Sequence, residues 1–361
     1  MSSAEHNRKE ISQRESRAKR RFGFLLALLL VGSILSLFLA SLFGRLDIPV
    51  ADVGKSILAG LGFNPDPNLD PTWVVVVFNI RLSRICLSML VGIALAVAGT
   101  VFQGILRNPL ADPFTIGVST GAAFGASLAL FFGFGSRTIL GFGLLPLGAL
   151  AGAVAALFAV IALGRINGQL RRDTMVLAGI VVATFLSALI SLIKSLNEES
   201  VASIVFWVMG SFQGRSWNHV AFVFPYIIAG LLIIWFYSRE LDILAMGDTQ
   251  ARQMGVHADR IRLRLMIGAS LLTAGAVSVS GVIGFIGLVM PHLIRMTIGA
   301  EHRRLLVLSA LLGGLALLWS DVLARILLPG GEELPVGVVT AIMGGPFFCF
   351  LLKRRKVGTV L

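Results

Sequence analysis

Charge is scarce in this sequence. Only 14% of its 361 residues are Asp, Glu, Lys or Arg, whereas a soluble domain carries about 25%. A soluble core has no use for so much apolar surface: 56% of the chain is hydrophobic. A bilayer crossing does, because each takes roughly 20 apolar residues over about 30 Å. Cysteine is also scarce. Cys86 and Cys349 are the two present; they lie in different apolar runs near opposite membrane faces, which argues against a disulfide and for small apolar packing. No G-x-x-x-x-G-K-[ST] loop exists. Gly54-Lys55-Ser56 imitates its end, but Pro49 occupies the first glycine position, so the chain does not bind ATP by that route. No row of carboxylates lies mid-membrane, as a proton-coupled pump would show. No His/Cys cluster has zinc spacing and H-E-x-x-H is absent, which disfavours an intramembrane metalloprotease.

What is there is a series of apolar runs. Ten spans are expected, at about 22–43, 85–106, 114–133, 142–164, 174–193, 220–238, 264–280, 282–298, 305–324 and 335–352. The run between Arg264 and Arg295 has no charge and is long for one helix but short for two. Ser278-Val279-Ser280-Gly281 is its expected turn. The chain opens on a basic tail, residues 1–21, followed by an uncharged run from Phe22 to Gly44. That run exceeds the 7–15 residues of a signal-peptide core, so it reads as an uncleaved first span with the N-terminus inside. One permease-like domain, 22–361, is expected after the tail, with a cytoplasmic segment at 239–263.

The net charge of +12 sits between apolar runs and does not call for nucleic acid. With the N-terminus inside, the inner segments hold 23 Lys/Arg and the outer ones 8, these being Arg45, Lys55, Arg81, Arg84, Arg137, Lys194, Arg215 and Arg325. This is the positive-inside asymmetry of plasma-membrane proteins. Within spans, small residues replace the hydrophobic drive to associate: Gly92-x-x-x-Ala96, Gly121-x-x-x-Gly125 and Gly344-Gly345 are read as packing contacts.

Five segments carry information beyond topology. Asn108-Pro109-Leu110-Ala111-Asp112-Pro113 breaks the chain at the inner face. Leu241 to Arg264 is a polar inner connection reading as two short amphipathic helices, each able to lay an apolar face in a partner groove, or as a solvated loop. Arg81 and Arg84, three apart, share a helix face at the outer mouth of span two. Arg325 stands at the outer end of span nine, four residues after Asp321. These arginines read either as a snorkelling or local Asp321–Arg325 arrangement or as a basic docking surface that sets orientation and on-rate. The fourth segment, Gly284 to Arg295, contains Pro291 and His292. The fifth, Glu333 to Phe348, contains Pro335 and Pro346. Each proline inside a helix removes a backbone donor that the bundle must make good. His292 reads as structural or as a proton carrier.

Together these segments resemble the FecCD family of permeases, the iron-siderophore, haem and cobalamin importers of the type II ABC class, from about Phe78 to Lys353. The resemblance implies an all-α polytopic fold of ten transmembrane helices, forming a homodimer or pseudo-twofold heterodimer around a central pathway. It implies an ATPase subunit dimer on the cytoplasmic side, a solute-binding protein on the outer side, and a second permease copy or paralogue, all in membrane lipid and without nucleic acid. No cofactor is expected on this chain, with ATP and Mg on the partner ATPase and no catalytic or metal-binding residue here. Docking to the binding protein falls on Arg81, Arg84 and Arg325, and ATPase coupling on Gly247, Asp248, Ala251, Arg252 and Gly255. Asn108, Pro109, Asp112, Pro113, Pro291, His292, Pro335 and Pro346 are the family-motif turns. Spans five and ten flank the pathway. Ser83 stands where the family has proline, and Asp248 where glutamate is common. The implied function is uptake of a ferric siderophore across the bacterial plasma membrane, with haem or cobalamin as alternative cargo and an ion-coupled carrier as the rival of another class.

Overall fold

A computed structural model describes residues 2–357, apart from 45, 64–65, 136, 140–141, 167 and 329–331. Arg45, one of the outer basic residues, therefore lies outside the described residues. The chain is a helical bundle. Helix α1 (Ser2–Leu42) is followed by α2 (Val50–Gly60) and α3 (Pro71–Val74). A π-helical stretch (Val75–Leu82) leads into α4 (Ser83–Leu106), and α5 (Val118–Phe131), α6 (Leu144–Gly164) and α7 (Arg172–Leu196) come next. Then follow α8 (Glu198–Val208), α9 (Trp217–Phe236), α10 (Ser238–Met246), α11 (Asp248–Gln253) and α12 (Ala258–Ser280). The chain ends with α13 (Ile286–Ile298), α14 (His302–Ile326) and α15 (Val336–Val357). Two antiparallel pairs of two-residue strands, β1 (Thr138–Ile139) with β2 (Phe142–Gly143) and β3 (Arg165–Ile166) with β4 (Gln169–Leu170), lie in the α5–α6 and α6–α7 connections.

Among the described residues, seven helices are long and apolar enough to cross a membrane. Three shorter apolar helices, Val118–Phe131, Ile286–Ile298 and Val336–Phe350, stand where the third, eighth and tenth spans are expected. The ambiguous run resolves as anticipated: α12 ends at Ser280 and Gly281 takes φ +69°. The second span differs. It runs unbroken from Pro71 to Leu106, 36 residues, so the helix face that Arg81 and Arg84 share lies well inside the helix rather than at its mouth. The apolar pattern hid this because a charged residue ordinarily marks a span's edge, whereas here both guanidiniums are buried.

The centre of the bundle is α4 and α12. The apolar stretches of both are 78% buried, against 11% for α1 at the periphery. Close backbone approach explains how. A Cβ on Gly99 would lie 1.9 Å from the Gly287 carbonyl oxygen, and one on Gly92 2.3 Å from that of Gly313. Gly121 and Gly125 meet Gly152 and Gly148 across the α5–α6 contact in the same way. Such glycine contacts replace the solvent-driven association that lipid cannot supply.

The short helices are short because irregular backbone occupies part of the bundle beside them. Residues 107–117 connect α4 to α5, and Pro113 packs toward Gly287 while Phe114 approaches Gly284. Residues 281–285 separate α12 from α13. Ser211 N–H donates to the Ser280 carbonyl (2.8 Å), and Gly337 on α15 packs against the Met209 and Val282 carbonyls. Non-helical backbone at membrane depth survives only when buried in protein, and here the irregular segments bury one another.

Candidate functional site

Three places gather the residues that carry chemistry. The first is at the outer face. Arg84 on α4 makes a two-pronged contact with Asp321 on α14, 237 residues away, with Nε to Oδ2 at 3.0 Å and Nη2 to Oδ1 at 2.8 Å. Its Nη1 donates to Glu333 at 2.8 Å. The Asp321 side chain is 1% exposed and that of Glu333 12%. Arg325 completes the group, its Nε 3.3 Å from Asp321 Oδ2, with a buried Nη2 that has no hydrogen-bond partner among the described residues. Arg81 points the other way and donates to three carbonyls at the end of α1: Ser41 (2.8 Å), Leu42 (3.3 Å) and Leu46 (2.5 Å). A helix leaves its last four carbonyls unsatisfied, so Arg81 caps α1. The three arginines thus stand near one another, and all three are engaged within the protein.

The π-helical turn fits this arrangement. A π-turn shifts the hydrogen-bond ladder and leaves carbonyls to find other donors. Trp217 Nε1 donates to Phe78 O at 3.1 Å, and Ser83 Oγ to Asn79 O at 2.5 Å. Ser83, where the resemblance leads one to expect proline, supplies a donor in place of a ring.

The second place is the inner face. The polar connection does form two short helices, α10 and α11, meeting at Gly247. This glycine takes φ +138°, ψ 160°, a conformation essentially reserved for glycine. Asp248 and Arg252 lie on α11, Ala251 is fully buried beneath it, and Gly255 (φ +79°) ends the turn. Asp248 accepts from Arg262 of α12 at 2.6 Å. Arg262 is among the largest fully buried side chains. It also donates to the Leu170 carbonyl of β4 and lies 3.6 Å from Asp259. Asp259 in turn accepts the Leu170 N–H at 3.2 Å. One guanidinium therefore ties α11, β4 and α12 together. The opposite end of the same block is held by Asp242 of α10, which accepts the His302 N–H (2.9 Å) and lies 2.7 Å from His302 Nδ1. Arg262, Asp259, Asp242 and His302 escape a reading of the sequence because they look like ordinary charges of a basic inner loop.

Beside this block, a cleft of about 550 Å³ opens between the β3–β4 turn and residues 252–263, lined by Arg165, Gln169, Arg252, His257, Asp259 and Arg260. On the same connection Met246 and Met254 are about 60% exposed.

The third place is the set of motif turns. Arg107 adopts φ +50° to end α4. Asn108 Oδ1 accepts from Leu110 N–H at 3.0 Å, and Asp112 Oδ1 accepts from the N–H groups of Phe114 and Thr115, both at 3.0 Å. Pro109 precedes this knot and Pro113 is buried in it. Burial pushes the Asp112 carboxyl up to about 6, with the two N–H bonds acting in the opposite direction. On α13, Pro291 has no N–H to give to the Gly287 carbonyl. Buried Gln103 of α4 supplies the missing donor from Nε2 at 3.3 Å, as a proline in a membrane helix requires. His292 follows, half-buried. Phe285, a bulky residue at φ +69°, is held against Gly344 of α15, where a Cβ would come within 2.4 Å of the Phe285 side chain. Pro335 stands just before α15, and Pro346 lies within it on an exposed face.

The family model described as the FecCD transport family matches residues 28–354. The chain belongs to the FecCD transport family. Among curated relatives, the cobalamin import system permease protein BtuC of Halobacterium salinarum is 40% identical over 78% of this chain and 74% of its own length. The hemin transport system permease protein HmuU of Yersinia pestis is 40% identical over 77% and 83%. A solved chain, described as the inward-facing conformation of a candidate metal-chelate type ABC transporter, superposes with a TM-score of 0.77 at 32% identity, covering 93% of this chain and 99% of that one. As a FecCD protein, the chain is the multi-span permease of an ABC importer, a membrane subunit of a family that works with an ATPase and a binding protein.

Proposed function

We propose that this FecCD permease carries a ferric siderophore across the bacterial plasma membrane, both termini inside. In this reading an ATPase pair engages α10–α11, a loaded binding protein settles over the Arg84–Asp321–Arg325 cluster, and two permease copies enclose the pathway. The observation that carries it is the inner block: α10–α11 is tied to α12 through Arg262 and to α14 through His302. A partner that moves this block therefore moves two spans. Asp248, Arg252 and the exposed Met246 and Met254 form the face such a partner would meet, with Gly247 and Gly255 setting its turns. Arg325 belongs to the same docking rim in this reading, its side chain 8% exposed and paired with Asp321. Arg81 and Arg84 serve docking by holding the rim in shape.

The cargo reading draws on a cavity of about 470 Å³ between α5, α7 and α8, lined by Phe114, Thr120, Ser187, Ser191, Lys194 and Met209. Apolar walls with a few hydroxyls and one cation suit an organic chelate bearing negative charge, with the iron enclosed. A relative described as an Fe(3+) dicitrate permease, FecD of Escherichia coli, 38% identical over 78% of this chain, supports an iron-chelate cargo. The test is reconstitution of the chain with its ATPase and binding protein in liposomes, following ferric siderophore, haem and cobalamin. Uptake of the siderophore that requires both partners and ATP is the expected outcome. Equivalent uptake of haem or cobalamin alone reassigns the cargo. Uptake by the chain alone on an ion gradient replaces the importer reading with a secondary carrier.

A further inference from the structure

The lipid-facing side of the bundle contains one groove whose inner end is strongly basic. It is an apolar trough of about 400 Å³ between α1 and α9, floored by α4 and α14 and lined by Leu26, Leu30, Leu231, Trp235, Leu306 and Ala310 among others. The charge-free stretch of α1, the end of α9 and the start of α14 all reach the inner face here. Arg303 is exposed and lies over the Trp235 ring, 5.0 Å from its centroid. Arg304 lies 6.0 Å from the Phe22 ring centroid and 3.0 Å from Glu301. Lys19, Arg20 and Arg21 open the apolar stretch of α1, with Arg20 and Arg21 exposed. Five cations thus stand at the end of a groove that admits hydrocarbon, with Glu301 beside Arg304 and Asp242 turned to His302.

We propose that this groove binds an anionic phospholipid of the inner leaflet, one acyl chain lying between α1 and α9 and the phosphate held by Arg303, Arg304 and the basic turn at the start of α1. Two features select this occupant over a neutral lipid. The cations sit at headgroup depth, where basic pockets between membrane helices hold anionic headgroups. Arg303 is kept in place by Trp235, an aromatic ring suited to the membrane interface, so its guanidinium is presented without being neutralised by the ring. Glu301 offsets Arg304 in part and leaves Arg303 as the principal contact. The consequence is that α1, the least buried span, is held to the bundle partly by lipid.

Trp235 is the reporter. The purified full chain is titrated in mixed micelles with phosphatidylglycerol or phosphatidylcholine brominated on the acyl chain. The Trp235 signal is taken as the difference between the chain and its Trp235→Phe variant. Phosphatidylglycerol is expected to quench at a mole fraction at least about fivefold lower than phosphatidylcholine, the selectivity that one well-placed cation supplies near a charged surface. Arg303→Gln combined with Arg304→Gln is expected to remove that preference while phosphatidylcholine quenches as before. Ala310→Phe, which fills the groove and leaves the charges alone, is expected to weaken quenching by both lipids. Equal quenching by the two lipids in the unmodified chain overturns the proposal. So does a preference that survives loss of both arginines, or quenching that ignores the filled groove.

Discussion

The two faces of the bundle are each built around a buried arginine, and the two are built differently. At the outer face Arg84 meets two carboxylates that are almost dry, on α14 and just ahead of α15. At the inner face Arg262 is still more deeply buried, but its acidic partners Asp248 and Asp259 are 33% and 34% exposed, and its other partner is a backbone carbonyl. The carboxylates of the inner network are thus far more open to water than those of the outer one. Charges buried together are costly to separate, because each is left without solvent or partner. A network open to water exchanges partners at small cost. The outer cluster is therefore a fixed joint, and the inner one a joint whose acidic partners exchange readily with water; the proposed coupling to an ATPase through α10–α11 uses that difference.

That contrast is sharpened by removing one partner from each joint. Asp321→Ala leaves two guanidiniums buried beside Glu333 and is expected to cost about 3–5 kcal/mol, read as a large drop in thermal stability in detergent. Pairing Arg84→Met with Asp321→Leu is expected to recover most of that loss, since Arg325 and Glu333 remain as a balanced pair. Arg262→Leu at the inner face is expected to cost less, about 1–3 kcal/mol, as Asp248 and Asp259 turn to water and the Leu170 carbonyl loses a donor. Asp242→Ala, which removes the acceptor for both His302 groups, is expected to cost about 1 kcal/mol and to lower transport more than stability. Equal losses for Asp321→Ala and Arg262→Leu would erase the distinction between the two faces.

The smallest effect concerns pH. Asp112 has its carboxyl raised from 3.8 to about 6 by burial, so the folded protein holds the proton more tightly than the unfolded chain. Stability from this group is complete below pH 3.8, declines as pH rises toward 6, and is level above it. Asp112→Asn retains an oxygen to accept from Phe114 and Thr115 N–H without burying a charge. It is expected to flatten that slope and leave stability at pH 7 equal or slightly higher, measured by thermal unfolding across pH 4–7.

Much of this was legible from the residues. The spans follow from uncharged runs, and the turn at Gly281, the glycine contacts and the two short inner helices were each readable from local composition. What escaped was non-local. Nothing near Arg84 in sequence announces Asp321 or Glu333, so its pairing across the bundle, within one long helix, was not readable. Arg262 looked like one basic residue among several in a solvated loop. Gln103 reads as a stray polar residue until Pro291, far along the chain, is seen to leave the Gly287 carbonyl without a donor. The shortness of α5 and α13 depends on irregular segments packing against each other, which no periodicity expresses. The cluster that gathers Arg84 and Arg325 around Asp321 is likewise visible only in three dimensions.

The central claim is that motion enters through the inner block and reaches the spans through Arg262 and His302. It is tested most directly by the ratio of substrate imported to ATP hydrolysed in proteoliposomes holding the assembled transporter with Arg262→Gln. The account predicts that hydrolysis and ATPase binding persist while the ratio falls about tenfold. An unchanged ratio, with Arg262 gone and the assembly intact, would contradict it.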